Sequence, residues 1–96
     1  MMTKDKITKE SLKDYRKITQ NAFDIVKKNI IKNKKDEAKK ILEMVGCYLS
    51  DSKYFEKQDD LINSFGAIYY AHGWIDCGVK LGIFDVHDDK LFTVRD

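Results

Sequence analysis

Leu12, Tyr15, Ile18, Ala22, Ile25, Val26 and Ile30 recur at steps of three and four, in a chain of 96 residues that contains no proline. A period near 3.6 places these side chains on one face of an α-helix, where they form a stripe that must be buried against something else. Without proline there is no residue type that both removes a backbone donor and breaks a helix sterically. The chain is therefore expected to be helical through long stretches. The runs rich in Lys, Glu, Ile, Leu and Ala point the same way.

Thr8 or Ser11 can cap this first helix, with Asp14 three residues after Ser11 in capping-box spacing. A break is expected around "KNKKD", where Asn33 is a candidate cap. A second helix then buries Ala38, Ile41, Leu42, Val45, Tyr48, Leu49 and Phe55 and places Cys47 on the opposite side. "QDD" supplies the next break, with Asp59 or Asp60 capping a third helix that Gly82 closes, because glycine accepts the left-handed conformation that ends helices. The expectation is an all-α fold, a compact three-helix bundle in a single domain over 1–96, with helices at about 8–31, 34–57 and 60–81. The remainder, 83–96, has two short apolar runs, Ile83 to Val86 and Leu91 to Val94, around "HDDK". It reads as a short extended or hairpin tail that needs the helices for support.

Ninety-six residues bury only about two-thirds of their unfolded surface, which leaves little apolar area to enclose a deep pocket. Hydrophobic residues at 43% and charged residues at 35% suit a folded soluble chain rather than a disordered one. No apolar run is long enough to cross a bilayer, and "MMTKDKITKE" lacks the apolar segment of a signal peptide. A cytoplasmic protein with no membrane partner is expected. Cys47 and Cys77 stand outside any Cys-x-x-Cys or Cys/His cluster, so neither a disulfide framework nor a zinc site is indicated.

Leu61, Phe65, Ile68, His72, Ile75 and Val79 share one face of the third helix, which puts His72 inside an apolar stripe. Asp76 lies four residues on, where it can fix the imidazole. This spacing serves a structural pair, a general base or a metal ligand alike. No nucleophile lies beside it, because Cys77 points about 140° away, and no third ligand has a suitable spacing. His72 and Asp76 are accordingly read as a polar core pair, with no catalytic residue, metal or cofactor assigned.

A second face of the same helix carries Ala67, Ala71, Trp74 and Gly78. Glycine costs about 1 kcal/mol in a helix relative to alanine, so Gly66, Gly73 and Gly78 imply a close approach of another element. Ala67, Ala71, Trp74 and Gly78 are expected to form an interface for a protein partner or for a second copy in a homodimer. The competing expectation is that the tail folds back over the same face.

Charge is divided along the chain. Residues 1–40 carry 13 basic and 6 acidic side chains, and residues 41–96 carry 5 and 10. Lys34, Lys35, Lys39 and Lys40 concentrate at the turn between the first two helices, a tip that could touch phosphates. Arginine is scarce there, aromatic residues are not interleaved and no phosphate-binding glycine loop occurs, so a solvated tip is the simpler reading. The primary functional expectation is a non-enzymatic protein-interaction or self-association module; the alternative is an RNA- or nucleotide-associated accessory domain using that tip.

The segment from Cys47 onward, most clearly Phe65, Tyr70, Ala71, His72, Gly73, Trp74, Asp76, Gly78, Gly82 and Phe84, resembles the archaeal domain-of-unknown-function family numbered 357. The chain departs from that family's pattern at Gln58, which precedes Asp59 where a glycine usually stands. The resemblance implies a compact helical bundle of archaeal, cytosolic origin and supplies no catalytic residues. The helical-bundle HEPN ribonucleases pair an arginine with a histidine a few residues later. Neither Arg16 nor Arg95 is followed by one at that spacing.

Overall fold

The computed structural model describes residues 6–87. Three helices follow in order, α1 over Lys9–Lys27, α2 over Lys35–Lys57 and α3 over Leu61–Lys80. The architecture is an all-α three-helix bundle in which α3 packs most extensively on α2 and also contacts α1.

Local chemistry accounts for the helix ends. Thr8 caps α1 by accepting from the Ser11 amide at 3.0 Å, while the Ser11 hydroxyl accepts from the Thr8 amide at 3.1 Å, a reciprocal box that satisfies two donors. Asp14, the other capping-box candidate, is not involved. α1 stops at Lys27, earlier than the expected 31, because Ile30 forms an antiparallel bridge with Phe84 instead of another helical turn. Asn33 is not a cap: Lys34 occupies that position on α2 without a side-chain hydrogen bond.

α2 and α3 end in the same way. After α2, Asp60 N–H donates to the Phe55 carbonyl at 2.9 Å and Asp59 N–H to that of Glu56 at 3.0 Å. After α3, Ile83 N–H reaches Gly78 at 2.9 Å and Gly82 N–H reaches Val79 at 3.1 Å. This paired pattern requires a left-handed residue just past the helix, and Gly82 has φ 73°. In the first turn the left-handed residue is Asp59, at φ 58°, so the strain falls on Asp59 and not on Gln58. Asp60 then caps α3 by accepting from the Asn63 amide at 3.2 Å.

The core collects Ala22 and Val26 from α1, Ala38, Ile41, Val45 and Leu49 from α2, and Ala71 and Ile75 from α3, with Ile83, Phe84 and Val86 packed beneath them. Several expected core positions differ. Ile18 is 44% exposed, since the buried line on α1 runs through Leu12, Thr19 and Val26 and leaves Ile18 well off its centre. Leu42, Tyr48 and Phe55 are half-buried at the margins of α2.

The chain after Gly82 is extended, and its partner is the α1–α2 connection. Ile31 N–H donates to the Ile83 carbonyl at 3.0 Å and Asp85 N–H to that of Asn29 at 2.7 Å. The expected second tail run, Leu91 to Val94, lies outside the described residues.

Candidate functional site

Helix α3 has two sides with different chemistry. On the inner side Ser64, Ala67, Ile68, Ala71, Ile75 and Gly78 are buried against the bundle. At Gly78 a methyl group would run into the Phe84 ring, with Phe84 Cδ2 only 2.8 Å and Ile41 Cδ1 only 3.2 Å from it. The lack of a side chain at Gly78 therefore lets the Phe84 ring pack against the helix backbone. Three of the four expected interface residues, Ala67, Ala71 and Gly78, are consumed by this packing. They do not share an open face with Trp74. The physical reason is the small cross-section of the bundle, in which α2 and the extended Ile83–Val86 segment together reach around that side of α3.

On the outer side Tyr69, Tyr70, Gly73, Trp74 and Cys77 line an open apolar depression of about 450 Å³. Tyr69 is 57% exposed, Tyr70 65% and Trp74 37%. The rings are held from both flanks. Tyr70 stacks on Tyr48 of α2 with centroids 5.3 Å apart, and Tyr69 meets Phe65 edge-on at 4.6 Å, within a cluster that includes Tyr15 of α1. Among the described residues nothing lies within 4 Å of where a Gly73 side chain would begin, so this glycine leaves a hollow between the rings. Among the described residues no charged side chain lines the depression.

His72 and Asp76 sit between these two sides, both half-buried. The His72 Nε2 to Asp76 Oδ1 distance is 3.8 Å, too long for a hydrogen bond, whereas His72 Nδ1 lies 3.0 Å from the Thr19 hydroxyl of α1. The histidine thus ties α3 to α1, with Asp76 beside it as a nearby carboxylate. Among the described residues no group of three His, Cys, Asp or Glu side chains is placed to hold a metal ion. Cys47 and Cys77 are free, exposed thiols.

A second polar cluster was not anticipated. Arg16 of α1 donates from Nε to the Ser52 hydroxyl at 3.0 Å and from Nη2 to Glu56 Oε1 at 2.6 Å, and Nη2 also reaches the Ser64 hydroxyl of α3 at 3.4 Å. Ser64 in turn donates to the Ser52 carbonyl at 2.6 Å. One guanidinium joins all three helices, and its hydrogen bond holds the Glu56 carboxyl below the usual carboxylate range. Thr19, Ser52 and Ser64 are the buried polar residues among those described, and each lies on the apolar stripe of its own helix. A hydroxyl where the stripe calls for an aliphatic side chain was the available signal.

The tip lysines are dispersed. Lys34 is half-buried and pairs with Glu37 at 3.7 Å, while Lys35, Lys39 and Lys40 are exposed along α2, close to Asp36 and Glu37 of its first turn. Local carboxylates offset this positive charge.

Fold and site together define a small helical bundle stitched by two polar clusters, with an uncharged aromatic face on its third helix. The family model described as "Protein of unknown function (DUF357)" matches residues 14–84, and the chain belongs to that family. The match extends through all three helices to Phe84, the residue seated on Gly78. No curated protein and no solved structure matches the chain. Among the described residues no helix is long and apolar enough to cross a membrane.

Proposed function

We propose that this protein acts by association with another polypeptide through the outer face of α3, and that the first partner to consider is a second copy of itself. The observation that carries this reading is the apolar depression lined by Tyr69, Tyr70, Gly73, Trp74 and Cys77. Tyrosine and tryptophan are favoured anchors at protein interfaces, because they bury much area at little entropic cost. The face offers protruding rings and, at Gly73, a hollow to receive one. A surface that contains both knob and hole can pair with itself about a two-fold axis, the commonest symmetry of oligomers.

The test is sedimentation over a wide concentration range, comparing the wild type with Gly73→Glu and Trp74→Ala. Gly73 is open to solvent, so a glutamate there leaves the monomer folded and places a charge in the interface. The expected result is concentration-dependent dimerisation that both substitutions abolish while the helical circular dichroism is retained. A wild-type chain that stays monomeric at high concentration removes self-association.

A further inference from the structure

A groove of about 260 Å³ on the α1–α2 side is lined by Lys13, Arg16, Lys17, Gln20 and Asn21 of α1 and by Lys53 of α2. Among the described residues every lining side chain carries a hydrogen-bond donor and none is a carboxylate. From this geometry we infer an anion-binding site for a small phosphorylated ligand of the phosphate or diphosphate class.

Four observations support this site over a merely solvated lysine surface. First, the cations converge from two helices. Lys13, Arg16, Lys17, Gln20 and Asn21 follow at intervals of one to three residues along one face of α1, and Lys53 closes the groove from the other side. Second, Arg16 is held in place before any ligand arrives, because Ser52, Glu56 and Ser64 fix its Nε and Nη2, while its Nη1 makes no hydrogen bond among the described residues. Preorganised donors bind an anion without the cost of ordering a long side chain.

Third, Lys13, Lys17 and Lys53 form no ion pair among the described residues, whereas Lys27 pairs with Asp24 and Lys34 with Glu37. Two carboxylates on the same helices are already engaged, Glu56 by Arg16 and Asp24 by Gln20 and Lys27. The groove thus gathers like charges that repel one another until a multiply charged anion joins them. Fourth, its volume lies below the usual range of pockets that enclose a whole organic ligand, about 300–1,000 Å³. Among the described residues no aromatic ring lines it to stack a base, which favours recognition of the phosphoryl group over a nucleobase.

The experiment is calorimetric titration of the full chain with inorganic pyrophosphate and with orthophosphate at low and moderate salt, beside a short single-stranded RNA. The proteins are the wild type, a groove variant with Lys13→Gln, Lys17→Gln and Lys53→Gln, and a tip variant with Lys34→Gln, Lys35→Gln, Lys39→Gln and Lys40→Gln. Arg16 is left intact because it also holds the helices together. The expected result is saturable, salt-sensitive pyrophosphate binding that the groove variant weakens by about tenfold or more and the tip variant leaves unchanged. Circular dichroism confirms that both variants remain folded. The inference is overturned if pyrophosphate and orthophosphate fail to bind at low salt, if the groove variant binds as well as wild type, or if the tip variant loses as much affinity. RNA binding without pyrophosphate binding also overturns it, in favour of a nucleic-acid backbone site.

Discussion

The inner and outer sides of α3 use the same residue types for opposite ends. Both carry a glycine and aromatic neighbours, yet Gly78 is buried under Phe84 and Gly73 has open space above it. On the inner side glycine serves packing, since the ring replaces the missing side chain. On the outer side it costs helix stability and returns no contact among the described residues. A helix can be central to a fold on one face and remain available for association on the other.

The largest test of this contrast is Phe84→Ala. Phe84 is almost fully buried, and losing its ring should cost about 3–5 kcal/mol in urea denaturation. Gly78→Ala should follow with a loss of about 1–3 kcal/mol from overpacking, despite alanine's better helix propensity. If the clash with Phe84 is the whole reason, the two changes are strongly coupled, and Gly78→Ala becomes neutral or stabilising once Phe84 is alanine. Additive losses would show that Gly78 is constrained by something other than the ring.

The polar end of the inner side has a pH signature. The hydrogen bond from Arg16 depresses the Glu56 carboxyl in the folded state, so its contribution to stability is present above the unfolded carboxylate range and is lost as pH falls through the folded value. Wild-type stability should therefore decline with acidification more steeply than that of Glu56→Gln, as read from denaturation midpoints across the acidic range. Parallel curves would mean that Ser52 and Ser64 hold Arg16 without Glu56.

Smaller effects of the opposite sign are expected where glycine chemistry is misplaced. Gly73→Ala should raise monomer stability by about 0.5–1 kcal/mol, because the added methyl meets no described residue and the helix gains propensity. Asp59→Gly should give a gain of a few tenths to about 1 kcal/mol by relieving the left-handed backbone. It also removes the Asp59 pair with Lys9, but that pair is exposed and worth little. Destabilisation by Gly73→Ala would erase the distinction between the two sides of α3.

Much of the bundle was legible because it is local. The number and order of the helices follow from a 3.6-residue period and from caps such as Thr8, Asp60 and Gly82, each acting within a few residues of its own position. The family was legible as well, carried largely by the α3 residues around His72, Trp74 and Gly78. The exact buried line of α1 was less so, since the apolar period tolerates a rotation of the helix large enough to exchange Ile18 for Thr19.

Tertiary structure alone decided which face meets which partner. The Gly78–Phe84 contact depends on a chain reversal at Gly82 and on a bridge from Phe84 to Ile30, residues far apart in sequence. The Arg16 cluster spans 48 residues to Ser64, and the convergence of Lys53 with Lys13 and Lys17 requires the relative rotation of α1 and α2. Periodicity marks that a helix has a face to bury, but it carries no information on the azimuth and height of the neighbouring helix. Those are set by the joint packing of all three helices, the lowest-energy solution to burying every stripe while satisfying every buried hydroxyl.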